Sequence, residues 1–160
     1  MRLSMPEDVS SSQVPLTHSV AVTGYVYQQG KFLLMKRAQP PLIWAPPGGR
    51  LLPHEDPCNG VLREVREETG IEVRLLGLVD CWFGEVPSRG RLLSLDYLTL
   101  PHSDRVLLSE EHTDYIWASI ADIENGNPPL GDDAASFRVS DFQKAANEWS
   151  RYKYQLPPPS

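Results

Sequence analysis

One stretch, from Gly49 to Ile71, carries more structural information than any other part of the chain; it reads GRLLPHEDPCNGVLREVREETGI. Asp56 followed by Pro57 is typical of an N-cap and a first helical position, and Gly70 is typical of a residue that ends a helix. We therefore predict a helix from residue 57 to residue 69. At the helical period, the apolar face that should meet the core spans an arc of about 100° and comprises Cys58, Val61, Leu62, Val65 and Thr69.

Three carboxylates lie on a second arc of the same helix: Glu64, Glu67 and Glu68. Gly60 precedes them by one turn and leaves a patch without a side chain. Like charges at i,i+4 repel by about a few tenths of a kcal/mol, and acids in the last turn oppose the helix dipole. Such conflicts with local preference are expected at functional sites.

Two interpretations of this acidic ridge remain open: a solvated glutamate-rich face, which is common, or a binding site for a divalent cation, which would reverse the sign of each repulsion. The proline-rich segment before the helix predicts a loop over residues 38–49, which ends in Gly48 and Gly49. These glycines indicate either an ordinary turn or a backbone that approaches a ligand closely, with φ > 0 where needed. Carboxylate oxygens suit Mg²⁺ or Mn²⁺.

The charge balance limits the possible partners. The 160 residues include 15 Lys and Arg against 21 Asp and Glu, for a net charge of −6. This argues against binding to nucleic acid or to an anionic membrane through bulk charge. An acidic protein can still bind a phosphate anion if metal ions bridge the two. The two cysteines, Cys58 and Cys81, lack CxxC spacing and predict reduced, half-buried thiols in a cytoplasmic protein.

The rest of the chain alternates between strand and helix patterns. Residues 1–17 predict a flexible N-terminal arm, residues 18–154 a single domain, and residues 155–160 a proline-rich tail. No apolar run is long enough to span a membrane, and no signal peptide is recognisable. The predicted strands are 18–28 and 31–37 (a hairpin around Gln29-Gly30), 71–83, 91–100 and 115–119, and the further helices are 119–124 and 136–152. This order predicts a mixed sheet flanked by helices, α/β or α+β.

The residues of the 49–71 stretch resemble a known family. The Nudix box, G-x5-E-x7-R-E-U-x-E-E-x-G-U with U aliphatic, is matched without a gap by Gly49, Glu55, Arg63, Glu64, Val65, Glu67, Glu68, Gly70 and Ile71. The resemblance implies the Nudix fold, an α/β/α sandwich around a mixed sheet. It also implies a nucleotide pyrophosphatase, which hydrolyses a nucleoside diphosphate linked to a moiety X with Mg²⁺ or Mn²⁺ as cofactor.

The resemblance also implies roles for single residues. Glu64 and Glu68 resemble the core metal ligands, and Glu67 a third. Arg63 resembles the partner that orients a box glutamate, here Glu55. Gly48 and Gly49 would shape the loop and could lend a carbonyl to the metal. Downstream, Glu111 resembles a loop glutamate that supplies a further ligand or the catalytic base, with Glu64 or Glu67 as the second choice of base.

Two positions depart from the usual loop pattern: Leu52 stands where the family often has glutamate, and His54 where it often has glycine. They put the loop path and one outer metal in doubt. His54 is either a catalytic acid or, as we prefer, a surface histidine. Arg37 and Arg50 are candidates for phosphate binding or ordinary surface cations.

The sequence leaves X open between an ADP-ribose-like group, a dinucleoside polyphosphate and a (d)NTP. Pro87 resembles a feature of ADP-ribose pyrophosphatases but is also an ordinary hairpin residue. Stacking partners for a base are Trp82, Phe83 or Tyr27, unless these pack in the core. Alternatives to an enzyme are a nucleotide sensor that does not cleave its ligand and a structural acidic protein. Family habit makes a homodimer plausible.

Overall fold

The computed structural model describes residues 17–87 and 89–156. The strands in this part of the chain are β1 (Ser19–Gln28), β2 (Lys31–Arg37), β3 (Trp44–Ala45), β4 (Gly48–Arg50), β5 (Val73–Val86), β6 (Gly90–Pro101) and β7 (His112–Ser119). The helices are α1 (Pro57–Thr69), α2 (Ile120–Glu124) and α3 (Val139–Tyr152).

All seven strands belong to one mixed sheet with the order β3-β2-β1-β6-β5, to which β4 adds along β1 and β7 along β2. The β1–β2 hairpin forms around Gln29 and Gly30, with Gln28 opposite Lys31, as the turn residues predict. β1 and β6 are parallel, and their pairing runs from Ser19 opposite Leu92 to Val26 opposite Thr99. The other pairs are antiparallel.

Helices cover both faces of the sheet. Val61 and Val65 of α1 pack with Val22 and Val26 of β1 in one cluster. Phe142 of α3 packs on the opposite face in a second cluster, which also contains residues of α2 and β2. The alternation of β1 explains both clusters, because successive side chains of a strand point to opposite faces. The predicted α/β/α sandwich around a mixed sheet is confirmed.

Helix α1 has the predicted limits. The Asp56 carboxylate accepts from the backbone N–H groups of Cys58 and Asn59, and Gly70 ends the helix with φ 69° in the left-handed region. The helix α3 begins at Val139 rather than near residue 136, because the Asp141 carboxylate accepts from the backbone N–H of Arg138 and fixes the first turn there.

Several sequence predictions need correction. The loop predicted over residues 38–49 contains β3 and the first residues of β4, because short segments pair with β2 and β1. The strands β5, β6 and β7 are longer than predicted, since pairing with a neighbour extends them past their apolar cores. Cys58 and Cys81 are exposed rather than half-buried. Cys58 lies on the first turn of α1.

Some predictions fall outside the described residues. They comprise the N-terminal arm, apart from Thr17, the proline-rich tail beyond residue 156, and Ser88 in the turn between β5 and β6. The domain limits of 18–154 therefore stay a prediction. No helix among residues 17–87 and 89–156 has the length and apolarity needed to cross a membrane.

Candidate active site

The three glutamates of α1 share one side of the helix but differ in exposure. Glu68 is buried at 7% exposure. The Glu64 side chain is 12% exposed, whereas that of Glu67 is 58% exposed. The strand β4 covers Glu68 and Glu64, because Gly48 and Gly49 pair with β1 directly beside the helix. The predicted acidic ridge is therefore partly buried and is not a fully solvated face.

Arg63 is the centre of an ion-pair network. Its Nε donates to Glu55 Oε1 at 2.7 Å, and Nη2 donates to Glu55 Oε2 at 2.9 Å, a two-point contact. Its Nη1 also donates to Glu64 Oε1 at 2.7 Å and to Glu67 Oε2 at 3.2 Å. The Arg63 hydrogen bonds lower the pKa of Glu55 to about 2. The expected contact between Arg63 and Glu55 is present, so Glu55 orients the arginine that holds two of the glutamates.

Gly48 and Gly49 are needed for space and not for a turn. They lie in β4, opposite Thr23 and Val22, and neither has a positive φ. A Cβ at position 48 would lie 2.3 Å from the carbonyl oxygen of Val22. A Cβ at position 49 would lie 2.7 Å from the Glu64 carboxylate. The turn interpretation is therefore wrong, and both glycines allow β4 to lie close to Val22 and Glu64, whereas approach to a ligand stays a prediction.

Glu68 is the carboxyl group with the most perturbed surroundings. Its Oε2 accepts a hydrogen bond of 3.1 Å from the backbone N–H of Gly48. The pKa of Glu68 is raised to about 8, chiefly by burial and to a smaller degree by the nearby carboxylates of Glu64, Glu111 and Glu67, against the lowering effect of the Gly48 hydrogen bond. Burial also raises the pKa of Glu64, although Arg63 opposes this. A buried carboxyl group among like charges is stabilised by a cation.

The residues fit a hard divalent cation. Their donors are carboxylate oxygens, which Mg²⁺ and Mn²⁺ prefer, and the free energy cost of burying Glu68 would be relieved by a bound positive charge. In residues 17–87 and 89–156, no three His, Cys, Asp or Glu side chains are already arranged as a metal-binding group. Arg63 donates to one oxygen of Glu64 and to one oxygen of Glu67.

A cavity of about 1040 Å³ adjoins the acidic helix and extends across the sheet to the first turn of α3. Arg37 at the end of β2 and Arg50 at the end of β4 both line it, together with the three glutamates and Glu111. Arg50 Nη2 donates to the carbonyl of Arg89 at 3.2 Å, and no carboxylate of the described residues pairs with Arg37 or Arg50. Both guanidinium groups are therefore available to an anion in the cavity.

Glu111 lies in the turn before β7, where its backbone carbonyl accepts from the N–H of Ala38 at 2.8 Å. Its charge contributes to the raised pKa values of Glu64 and Glu68, so the fold brings it close to the acidic helix. The structure therefore brings Glu64, Glu67, Glu68 and Glu111 to the same cavity as Arg37 and Arg50, although Glu67 stays largely exposed. What each residue does stays a prediction.

Leu52 and His54, which depart from the usual family pattern, both lie in the loop before α1. His54 has φ 65°, a left-handed conformation in which glycine is the usual residue, and it does not line the cavity. Leu52 is 55% exposed, and its backbone N–H donates to Glu55 at 2.9 Å. The loop thus keeps its contact with Glu55. The bare patch predicted at Gly60 does not exist, because a Cβ there would lie 2.3 Å from Leu51 and 3.2 Å from Glu55.

The predicted stacking partners of a nucleobase separate in the structure. Trp82 lines the cavity. Tyr27 packs against Phe32 and Trp149 in the interior, and Phe83 is 72% exposed beside His18. Only Trp82 of these three contacts the cavity.

Sequence reasoning missed the polar residues that line this cavity from β1 and β6, among them Thr23, Ser94 and Asp96. The available signal was the strand LLSLDYLTL, in which Ser94 and Asp96 interrupt an apolar run at alternate positions and so share one face. It was overlooked because polar residues at alternate positions also describe an ordinary solvated sheet face.

Comparison with known proteins identifies a family for nearly the whole chain. A model of the NUDIX domain matches residues 17–153. The chain is 32% identical over 96 residues to a bis(5'-nucleosyl)-tetraphosphatase [asymmetrical] of Caenorhabditis elegans, which covers 58% of this chain and 70% of that protein. It is 31% identical over 101 residues to a CTP pyrophosphohydrolase of Escherichia coli (strain K12), covering 61% and 73% of the two chains.

A solved structure gives the same result. The MutT protein from Methanosarcina mazei Go1 superimposes with a TM-score of 0.68 at 27% identity, over 84% of this chain and 98% of that one. A match of the domain model to most of the chain, similar folds and similar named enzymes agree with the box on α1. The chain belongs to the Nudix family and is a Nudix hydrolase.

Proposed function

We propose that this Nudix hydrolase requires Mg²⁺ or Mn²⁺ and cleaves the diphosphate linkage of a nucleoside diphosphate joined to a moiety X. The observation that carries the proposal is the position of buried Glu68 beside Glu64, on the wall of a cavity that Arg37 and Arg50 also line. Carboxylates for a cation and guanidinium groups for phosphates thus face the same space.

Glu64 and Glu68 would hold the cation, with Glu67 as a third ligand. The ion supplies charge neutralisation for the diphosphate and makes water easier to deprotonate. Arg63 would remain bound to Glu55 through its two-point contact and so keep the ligand helix fixed to the loop before it. Arg37 and Arg50 would bind phosphate oxygens and hold the scissile linkage beside the acidic helix.

Glu111 is our first candidate for the base that accepts the proton of the attacking water. The carboxylates of Glu64 and Glu67 are bonded to Arg63. No hydrogen bond to the Glu111 carboxylate is found among residues 17–87 and 89–156, where only its backbone groups are engaged. A carboxylate whose oxygens make no such bonds is free to contact the attacking water.

For X, we favour a dinucleoside polyphosphate or a nucleoside triphosphate over an ADP-ribose-like group. Two similar proteins are named as a tetraphosphatase of dinucleosides and a pyrophosphohydrolase of CTP. The cavity of about 1040 Å³ lies at the upper end of ordinary ligand pockets, about 300–1,000 Å³. It therefore has room for a nucleoside with several phosphates.

The direct test is a panel of diadenosine tetraphosphate, CTP, ATP and ADP-ribose, incubated with Mg²⁺, with Mn²⁺ or with EDTA, and analysed for products by anion-exchange chromatography. We expect a nucleoside monophosphate or diphosphate to be released only with metal. Glu68→Gln should reduce kcat by at least about 100-fold, since losing a group that stabilises charge in the transition state costs about that much. The matched control is Glu72→Gln, an exposed acid paired with Arg66, which should keep full activity.

A second measurement separates this proposal from a sensor or a structural protein. Mn²⁺ should raise the melting temperature of the wild type but not of Glu68→Gln. An ion stabilises the folded state only if it binds that state, and the variant lacks one of the proposed ligands. Binding of nucleotide and Mn²⁺ without any product would indicate a sensor. The absence of both binding and product would contradict the proposal.

A further inference from the structure

The part of the cavity that lies on the α3 side of the sheet has a polar floor. Thr23 of β1 lies opposite Asp96 of β6, and Ala21 lies opposite Ser94. Ser94, Asp96 and Leu98 alternate on one face of β6, and Leu98 packs in the same cluster as Phe142 of α3. This face is therefore the α3 side of the sheet, at the point where α3 begins and the cavity opens.

Asp96 is almost completely buried in this floor, at 7% exposure. The hydroxyl of Ser94 donates to Asp96 Oδ1 at 2.8 Å, and Thr23 Oγ1 lies 3.3 Å from Ser94 Oγ. Among residues 17–87 and 89–156, no hydrogen bond to Asp96 Oδ2 is found, and this atom is not one of the fully buried, unpartnered side-chain atoms. One oxygen of Asp96 is thus fixed by its neighbours, and the other is available to the cavity that Asp96 lines.

Asp96 forms no ion pair within the part of the chain that the structure describes. Lys144 of α3, which lines the same cavity, bonds to Asp80 instead. Asp141 accepts from the N–H of Arg138 at the start of α3. The pKa of Asp96 is raised to about 6, chiefly by burial and to a smaller degree by the charges of Asp141 and Asp80, against the lowering effect of the Ser94 and Thr23 hydroxyls. Because a buried acid without a cationic partner lowers the stability of a fold, a packing role alone does not explain this side chain.

The walls around Asp96 suit a flat ligand. Trp82 of β5 lies opposite Ser94 in the sheet, and both Trp82 and Phe137 line the cavity. Phe137 is held from behind by Tyr25 and Phe142, with ring centroids 6.2 and 6.3 Å away. Aromatic side chains beside a hydrogen-bonding group are a common way to hold a nucleobase.

We propose that Asp96, oriented by Ser94 and Thr23, determines base specificity by accepting a hydrogen bond from the exocyclic amino group of adenine or cytosine. The inference rests on the proposed function, because it places the nucleoside of the substrate in this part of the cavity and its phosphates at the acidic helix. A carboxylate accepts hydrogen bonds and cannot donate them. It therefore repels the oxygen that replaces the amino group in hypoxanthine and uracil.

The experiment compares AMP with IMP and CMP with UMP, by isothermal titration in EDTA, and ATP with ITP and CTP with UTP, by kcat/KM with Mg²⁺. We expect the wild type to prefer at least one amino-bearing base about 10-fold or more, since a site built to hydrogen-bond a substrate group rejects the analogue that lacks it. In Asp96→Leu this preference should fall to about 2-fold or less, whereas Asp104→Asn, an exposed loop variant, should keep it.

Asp96→Asn gives a sharper result and keeps the shape of the side chain. The Ser94 hydroxyl bonds to Oδ1, so the amide should keep its oxygen there and turn its NH₂ group to the cavity. Asparagine then donates where aspartate accepts, and we expect the preference to reverse toward IMP or UMP. Equal affinity of the wild type for both members of each pair, or an unchanged preference in both Asp96 variants, would overturn the inference.

The two arms separate this inference from the proposed function. Base discrimination by the monophosphates without turnover of any triphosphate would support the role of Asp96 and contradict hydrolysis of these substrates. Turnover without base discrimination would support hydrolysis and contradict the role of Asp96.

Discussion

Replacement of Gly49 by alanine tests whether the position of Glu64 controls the reaction. The new Cβ would lie 2.7 Å from Cδ and both oxygens of Glu64, and ordinary contact begins at 3.4 Å. The carboxylate must therefore retreat by about 0.7 Å. Its 2.7 Å hydrogen bond from Arg63 Nη1 would lengthen or break. The group that moves is the end of a flexible side chain, so the backbone of β4 need not shift.

The size of the effect follows from this displacement. A misplacement of about 1 Å in a catalytic site can reduce the rate about 100-fold, so we expect Gly49→Ala to lower kcat/KM by about 10- to 100-fold, or about 1.4–2.7 kcal/mol. Stability should change little. Gly49 has no positive φ, so alanine fits the backbone conformation. Because alanine lowers the entropy of the unfolded chain, it adds about 0.4–1 kcal/mol to the free energy of unfolding. The assay is the initial rate on the fastest substrate of the panel, with urea unfolding alongside.

Two further variants serve as controls. In Gly48→Ala the Cβ would lie 2.3 Å from the backbone oxygen of Val22. The Gly48→Ala variant should therefore be less stable than the wild type. Glu64→Asp shortens the side chain by one methylene and makes room for the methyl group added at position 49. The double variant Gly49→Ala/Glu64→Asp should therefore be more active than the two single losses predict. Full activity of a stably folded Gly49→Ala, at unchanged Mg²⁺ dependence, would refute the reasoning.

Three other predictions concern stability and reactivity. His54→Gly should raise the free energy of unfolding by about 0.5–1 kcal/mol in urea titrations, because φ at His54 is 65° and the left-handed region is unfavourable for side chains; a lower free energy of unfolding would argue against this. The raised pKa of Asp96, about 6, means that the folded state loses stability as the pH rises from about 4 to 6. Asp96→Asn should therefore stabilise the protein by about 3 kcal/mol at pH 7.5 and hardly at pH 4; equal gains at both pH values would contradict the assignment. Exposed Cys58 and Cys81 should both react with a disulfide reagent in the folded protein, and protection of either would disagree with the structure.

The sequence by itself determined the local elements. Asp56 and Gly70 set the ends of α1 through backbone contacts within a few residues, and Gln29-Gly30 set the β1–β2 hairpin. The box residues identified the family because their order along the chain is itself the signal. Short-range hydrogen bonds and turn geometry depend on near neighbours only, so they can be derived from the residues alone.

Only the tertiary structure decided what each side chain experiences. The helical period places Glu64, Glu67 and Glu68 on one arc, but the pairing of β4 with β1 buries Glu68 and leaves Glu67 exposed. Asp96 acquires its role from residues far along the chain, since Thr23 lies opposite it in the parallel pairing of β1 and β6. Burial and charge depend on every group within a few ångströms, and a sequence does not state which distant segments those will be.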